Sequence, residues 1–165
     1  MDDLLTIALR NQYQKAFNLL IDVITNYDDM IWHNCNDYQI TVSQIVYHTI
    51  FYTNIYCSPS EKRIMKWDKE KEHFHDFEKM RQIWDRKEQE RYDFYRNEII
   101  EYAKFVLNNI PGYLLEMKPD EHCWPYWYDE NQLEFQMNNL RHLQHHIGEI
   151  IERHDIVKKM VYKWQ

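Results

Sequence analysis

Apolar residues recur every three to four positions over four long stretches of the chain, which is the period of an amphipathic α-helix. The first stretch covers about residues 3–27 and the second about residues 41–57. Thr41 and Gln44 predict a capping box at the start of the second helix, and a Ser-Pro-Ser sequence after Cys57 ends it. The inner face of the first helix is predicted to carry Leu4, Leu5, Ala8, Phe17, Leu20 and Ile24, with Leu19 and Val23 broadening it.

A third helix is predicted in the second half of the chain. It begins after Asp85, where Glu88 three residues later completes a second capping box. It is predicted to end at Asn109, because Pro111 and Gly112 follow and this pair is typical of a turn.

The fourth predicted helix begins after Asp129, with Gln132 three residues further on, and reaches about Lys159. Residues 61–84 are predicted to form a short helix and a loop, and residues 118–128 a loop. The chain has no internal repeat or linker, so all 165 residues are predicted to form one domain. Four long helices around one core predict an all-α four-helix bundle, and the long connection between its second and third helices leaves room for a crossover.

The composition supports a helical fold. The chain has 2 glycines in 165 residues, whereas an average chain contains about 7% glycine. Tight turns between strands and phosphate-binding loops both depend on glycine. We therefore exclude a multi-stranded sheet, a G-x-G-x-x-G loop and a Walker loop.

The charge balance argues against nucleic acid as a partner, because the net charge is −7 and no basic stripe is present. No apolar run approaches the ~18 residues that a membrane span needs, and the first residues lack the pattern of a signal peptide. Cys35, Cys57 and Cys123 are odd in number and lack C-x-x-C spacing. Reduced thiols and a cytoplasmic location are therefore expected.

Candidate chemistry concentrates in the histidines of the fourth helix. His142 and His146 are four residues apart, so they lie on one face, one turn above the other. Two imidazoles at this spacing can hold one metal ion, as in the H-E-x-x-H helix of zincins, although Leu143 stands where that motif needs glutamate. The same spacing also fits two solvated histidines. His145 points about 100° away from His146 and is expected to be exposed.

His48 adds a third imidazole on the second helix. It shares its face with apolar and aromatic residues, namely Ile45, Phe51, Tyr52, Ile55 and Tyr56, and is predicted to point into the bundle. A buried imidazole needs a hydrogen-bond partner or a metal ion to offset its desolvation. Both interpretations stay open, and the three imidazoles can converge if the second and fourth helices are neighbours.

These motifs resemble those of the DinB-like family, which includes the bacillithiol and mycothiol S-transferases. Its members are four-helix bundles with a histidine inside the second helix and H-x-x-x-H followed by x-G-Q on the last. Residues 41–48, TVSQIVYH, look like the first motif, and residues 142–149, HLQHHIGE, look like the second. The resemblance covers the chain in helix order and spacing, and it implies His48, His142 and His146 as ligands of a divalent metal ion.

Three imidazoles leave a divalent ion with open positions, which is typical of catalytic sites, and zinc, nickel and iron(II) all accept such ligands. The ion lowers the pKa of a bound water or thiol. The resemblance favours the thiol: transfer of a low-molecular-weight thiol to an electrophilic substrate, in a homodimer. The alternatives are a metal-dependent hydrolase and a non-catalytic metal-binding or stress-response protein. No catalytic residue beyond the ligands is assigned.

Two residues next to this motif need their own interpretation. Glu149 stands where the family has glutamine, which adds a carboxylate about one turn from the ligands and leaves its role open. Gly148 is one of the two glycines, and a glycine inside a helix costs roughly 1 kcal/mol relative to alanine. A close approach of two helices is one physical reason for this glycine.

The chain contains two overlapping Glu-x-x-His units, Glu70 with His73 and Glu72 with His75. Di-iron bundles use this unit, but they need it on two separate helices together with two more glutamates. We therefore interpret this charged stretch as a solvated surface.

The remaining candidates lie in loops. Cys123 beside His122 lacks a third group that would orient a nucleophile, so it is interpreted as a loop cysteine. Residues 124–128 are rich in Trp and Tyr and form either a wall of the pocket mouth or a subunit contact. Trp32, next to His33, is expected to seal the end of the bundle.

Overall fold

The computed structural model describes residues 4–33, 40–82 and 93–158. Its elements are α1 (Leu4–Asn26), α2 (Asp29–Trp32), α3 (Val42–Cys57), a 3-10 turn (Glu61–Arg63), α4 (Phe77–Gln82), α5 (Arg96–Leu115) and α6 (Gln132–Lys158). Helices and loops account for these ranges, and no β-strand occurs in them. The all-α prediction is therefore confirmed.

The four long helices each pack mainly against two others. α1 lies against α5 and α6, and α3 lies against the same two helices. α1 and α3 are therefore diagonal to each other, and the long connection of residues 58–95 joins the neighbouring helices α3 and α5. The pairing of α3 with α6 positions the candidate site.

The inner face of α1 agrees with the prediction in its second half. Phe17, Leu20, Val23 and Ile24 are fully buried. The prediction was wrong for Leu4, which is 86% exposed, and for Ala8, which is also exposed. At 100° per residue, Leu4 lies about 160° and Ala8 about 120° from Leu20 around the helix, so neither faces the core.

The capping box of α3 is confirmed. The N–H of Gln44 donates to Oγ1 of Thr41 at 3.1 Å, and the N–H of Thr41 donates to Oε1 of Gln44 at 2.9 Å. α3 ends at Cys57, as predicted, where the N–H of Ser58 bonds to the carbonyl of Ile55.

The predicted end of the third helix at Asn109 was wrong. α5 continues through Pro111 and Gly112 to Leu115, because Tyr113 and Leu114 are buried against the core and proline has a helix-compatible φ. The predicted start after Asp85, including Glu88, lies outside the described residues, but residues 93–95 are not helical, so the prediction of a helix over them was wrong. α5 itself begins at Arg96, after Tyr95, whose N–H donates to Glu98 at 2.9 Å.

The cap of α6 also differs from the prediction. Oδ1 of Asn131 accepts from the N–H of Glu134 at 2.9 Å, and Oε2 of Glu134 accepts from the N–H of Asn131 at 3.2 Å. This pair takes the place of Asp129 and Gln132 in the prediction. Gln132 instead accepts from the N–H of Lys118 at 2.8 Å and holds the preceding loop. Residues 118–128 form a loop, as predicted.

Candidate metal centre

α3 and α6 bring three histidines together. One ligand nitrogen of each of His48, His142 and His146 lies within 4.8 Å of the other two. The ring of His48 is centred 5.5 Å from His142 and 5.1 Å from His146, and the rings of His142 and His146 are 4.7 Å apart. The predicted convergence of the three imidazoles is confirmed, and the group has the donor set of a metal site.

His48 is oriented by a backbone carbonyl. Its Nδ1–H donates to the carbonyl oxygen of His75 at 2.7 Å. This bond fixes the tautomer in which Nε2 keeps its lone pair, which is the usual arrangement of metal-binding histidines. Burial, partly offset by the bond to His75, lowers the pKa of His48 to about 4. The ring is therefore neutral and able to bind a cation near pH 7.

A carboxylate orients His146, the most buried of the three histidines. Its Nδ1 lies 3.0 Å from Oε2 of Glu149, and Oε1 of Glu149 accepts from Arg153 at 2.8 Å. Arg153 in turn donates to the carbonyl of Ile40 at 3.2 Å. The hydrogen bond with His146 and the charge of Arg153 lower the pKa of Glu149, so this carboxylate is ionised. Glu149, whose role the motif left open, is therefore a hydrogen-bond partner of the candidate ligand His146.

His142 supplies the strongest local sign of a missing partner. Its Nδ1 is buried, and none of the described residues offers it a hydrogen bond. Burial, followed by the charges of His146 and His48, lowers its pKa to about 4. A buried nitrogen without a partner is costly, and one ring nitrogen of His142 lies within 4.8 Å of ring nitrogens of His48 and His146. The residues present therefore fit a metal ion.

A second group could compete for a cation. His145, His146 and Glu149 also have one ligand atom each within 4.8 Å of one another. His145 is exposed, as predicted, and Nδ1 of His146 is already engaged by Glu149. The group of His48, His142 and His146 is better shielded, and imidazole nitrogens are ligands that suit zinc, nickel and iron(II).

Aromatic side chains surround His48. The ring of Phe77, from α4, stacks on it with centroids 4.0 Å apart, and the ring of Tyr52 lies 4.6 Å away. Burial raises the pKa of Tyr52, so its phenol is protonated near neutral pH. These rings shield the site from water and add no charge.

The aromatic loop before α6 contributes one wall and one exposed surface. The hydroxyl of Tyr128 lies 3.0 Å from that of Tyr56, whose ring is centred 6.1 Å from His142. Tyr126 and Trp127 are 74% and 78% exposed. Tyr128 therefore lies near the site, as expected of a pocket wall, whereas Tyr126 and Trp127 face solvent.

The two Glu-x-x-His units do not form a metal site. Residues 72–75 form turns rather than a helix, and Glu72 pairs with its neighbour His73 at 3.3 Å. The expectation of a wholly solvated stretch was nevertheless wrong for His75. Its ring stacks on Phe51 at 4.0 Å, and its carbonyl holds His48.

Three further expectations have clear outcomes. Cys123 is buried, and burial raises the pKa of its thiol, so it is not an activated nucleophile. Trp32 is buried as expected and donates to the carbonyl of Phe94 at 2.8 Å, and Nδ1 of His33 is hydrogen-bonded to Oδ2 of Asp93 at 2.6 Å. The expected close packing at Gly148 was wrong, because a Cβ placed there would meet no atom within 4 Å.

Sequence reasoning missed three groups that hold the site. Arg153 follows Glu149 by four residues on the predicted helix, and this spacing is typical of an ion pair, so the sequence contained a usable signal. The sequence contained no signal for Phe77 or for the carbonyl of His75, because both contact His48 only through the folded connection between α3 and α5.

Comparisons with known proteins identify no relative. No protein family, curated protein or solved structure matches this chain. None of the described helices has the length and apolar character needed to cross a membrane. The interpretation of the site therefore depends on its own geometry.

Proposed function

We propose that this chain is a metal-dependent protein of the DinB-like type, in which His48, His142 and His146 bind one divalent cation. The meeting of three imidazoles from α3 and α6, with one ring nitrogen of each within 4.8 Å of the other two, carries this proposal. The packing of α1 and α3 against both α5 and α6 supports a four-helix bundle.

The ligand set supports an ion with free coordination positions. His48 and His146 each use Nδ1 to contact an oxygen atom, from His75 and Glu149, which leaves the other ring nitrogen for the cation. Three protein ligands are typical of catalytic rather than structural sites. Zinc, nickel and iron(II) all suit imidazole ligands.

The activity that we propose is the transfer of a low-molecular-weight thiol to a small electrophile. When bound, the ion would lower the pKa of the thiol, so that thiolate is available near neutral pH. The chain's own residues would bind and orient: Glu149 holds the ring of His146, and Phe77 and Tyr52 keep water away from His48.

The metal assignment is tested on protein purified without a histidine tag. We expect stoichiometric zinc, nickel or iron by elemental analysis, and loss of the metal in His48→Ala, His142→Ala and His146→Ala. His145→Ala is the matched control, because it removes an exposed imidazole from the same helix. Metal retained by the three variants would refute the site, and metal lost only in the His145, His146 and Glu149 variants would assign it to the second group.

Turnover is tested separately on the metal-loaded protein. Cysteine, glutathione and bacillithiol are each offered with a fluorogenic bimane electrophile, and we expect metal-dependent conjugation with at least one thiol. Hydrolysis of a model ester without thiol consumption would favour a metal-dependent hydrolase. Bound metal without either reaction would favour a non-catalytic metal-binding protein.

We also propose that the protein is a cytoplasmic homodimer. Exposed Tyr126 and Trp127 offer an aromatic contact surface, and the buried free thiols of Cys57 and Cys123 fit a reducing compartment. Light scattering is expected to report twice the mass of one chain, and a Trp127→Ser variant to shift the equilibrium toward the monomer. A monomer at micromolar concentration would contradict the dimer.

A further inference from the structure

A groove of about 510 Å³ opens between α3 and the segment of residues 64–75. Tyr47, Phe51, Asn54 and Ile55 line it from α3. Sites for small organic ligands have volumes of roughly 300–1,000 Å³ and mainly apolar walls. The groove therefore has the size of a small-molecule site, and none of the three candidate metal ligands lines it.

The walls of the groove are aromatic and aliphatic. The rings of Phe51 and His75 stack with centroids 4.0 Å apart and planes 8° apart, and Ile55 and Ile64 lie along the same groove. The amide of Asn54 donates to the carbonyl of Met65 at 2.8 Å, so this polar group is already satisfied. These side chains can pack against the apolar part of a ligand.

Two glutamates and two lysines line the groove: Glu70, Glu72, Lys66 and Lys71. Glu70 is partly buried, and the one hydrogen bond of its carboxylate with a described residue comes from the N–H of Trp67 at 3.2 Å. The ammonium of Lys71 is engaged elsewhere, donating to the carbonyl of Asp93 at 2.6 Å and lying 3.8 Å from the centre of the Phe94 ring. Lys66 is exposed, which leaves its ammonium in water. Burial raises the pKa of Glu70, the charge of Lys66 opposes this shift, and no described residue forms an ion pair with the Glu70 carboxylate.

We propose that this groove binds a small organic cation, an amine with an apolar body. Its ammonium pairs with the carboxylate of Glu70, and its body lies against Phe51, Ile55 and Ile64. A partly buried carboxylate attracts a cation more strongly than an exposed one, and the net charge of −7 favours the approach of a cation. An anion of the same shape would meet Glu70 and Glu72 instead.

This site is distinct from the proposed metal function and is tested on metal-free protein in the presence of a chelator. The probes are phenethylamine, phenethyl alcohol and phenylacetate, which share one ring and differ in charge, and binding is followed by ligand-observed NMR titration. We expect saturable binding of phenethylamine, about tenfold tighter than that of the alcohol, with phenylacetate the weakest.

Two variants locate the binding site. Glu70→Gln keeps the oxygen that accepts from Trp67 but removes the charge, so phenethylamine is expected to bind no better than the alcohol. Ile55→Phe fills the groove and is expected to weaken both ligands. Glu78→Gln, which removes an exposed carboxylate outside the groove, is the matched control and is expected to change neither.

Three outcomes would overturn the proposal: no saturable binding of phenethylamine, tighter binding of phenylacetate, or an undiminished preference for the amine in Glu70→Gln. Circular dichroism of each variant separates a folding defect from a binding defect. Loss of the metal site by His146→Ala is expected to leave amine binding unchanged, so this proposal and the metal proposal fail independently.

Discussion

Glu149 shows how one side chain connects a candidate ligand to the rest of the molecule. Its two oxygens are divided between His146 and Arg153, and Arg153 continues to the backbone of Ile40 before α3. This chain of bonds orients the imidazole of His146. It also places a negative charge beside the three imidazole rings, which favours a cation at the site.

Substituting Glu149 tests this role. Glu149→Ala is expected to lower zinc affinity by about 10–100-fold, the usual cost of losing a group that orients a metal ligand. Glu149→Gln is expected to have a smaller effect, because an amide oxygen still accepts from His146. A chelator-competition titration measures both affinities.

The control for this experiment is Glu152→Ala, an exposed glutamate on the same helix. It removes the same charge without touching His146. Equal zinc affinity in Glu149→Ala and in the unmodified protein would contradict an orienting role for this carboxylate.

The histidines also make the metal-free protein sensitive to acid. The pKa values of His48 and His142 are about 4 in the folded state, below the ordinary value of about 6.5. Well above pH 6.5 both rings are neutral whether the chain is folded or not. As the pH falls toward 4, the unfolded chain binds protons first, so the free energy of unfolding decreases.

Urea denaturation in a chelator, repeated between pH 7 and pH 4, measures this loss. Each histidine contributes at most about 1.4 kcal/mol per pH unit. The double variant His48→Leu, His142→Leu is expected to have a shallower pH dependence than the unmodified protein over this window. Identical slopes would show that the two rings titrate normally.

At the scale of single helices, predictions from neighbouring residues fail where burial in the core favours a different helix end. The capping box of α3 depends on two residues three positions apart, so the pattern was visible in the sequence. Pro111 is a strong local signal for a helix end, but burial of Tyr113 and Leu114 outweighs it in α5. Local rules therefore predicted α3 better than α5.

The cap of α3 can be tested by Thr41→Ala. The hydroxyl of Thr41 accepts from the N–H of Gln44 and donates to Asp93 at 2.9 Å, so its loss is expected to cost about 1–2 kcal/mol of folding free energy. Thr25→Ala, which removes an exposed hydroxyl bonded within α1, is expected to stay within ±0.5 kcal/mol by the usual cost of surface changes. Chemical denaturation of both variants measures the difference, and equal stabilities would contradict a capping role.

For the whole molecule, the candidate site connects α3 to α6. A cation bound to His48 on one helix and to His142 and His146 on the other binds the folded state alone, so it must stabilise the fold. Zinc at a hundredfold excess over its dissociation constant is expected to add about 2.7 kcal/mol to the free energy of unfolding.

Thermal unfolding with and without zinc measures this stabilisation, and a chelator is expected to reverse it. The variant His48→Leu should lose the response, since it removes the only ligand supplied by α3. A melting temperature that does not change with zinc, or the same rise in His48→Leu, would contradict a site that bridges the two helices.

The sequence by itself determined the helical class, most of the helix positions and the identity of the three candidate ligands. The class and the helix positions follow from hydrophobic period and capping residues, which act over a few neighbouring positions, and from the scarcity of glycine in the whole chain. The three candidate ligands follow from the positions of the histidines and from the resemblance to the DinB-like family. The spacing of His142 and His146 on one helix face is of the same kind, because helix geometry alone sets it.

Only the tertiary structure decided that α3 lies beside α6. That pairing also decided the contacts between residues that are distant in sequence. The carbonyl of His75, the ring of Phe77 and the unpartnered nitrogen of His142 become meaningful only when the helices pack. The reason is physical: a helix forms from interactions within a few residues, whereas the choice of its neighbours is made by the burial of whole faces.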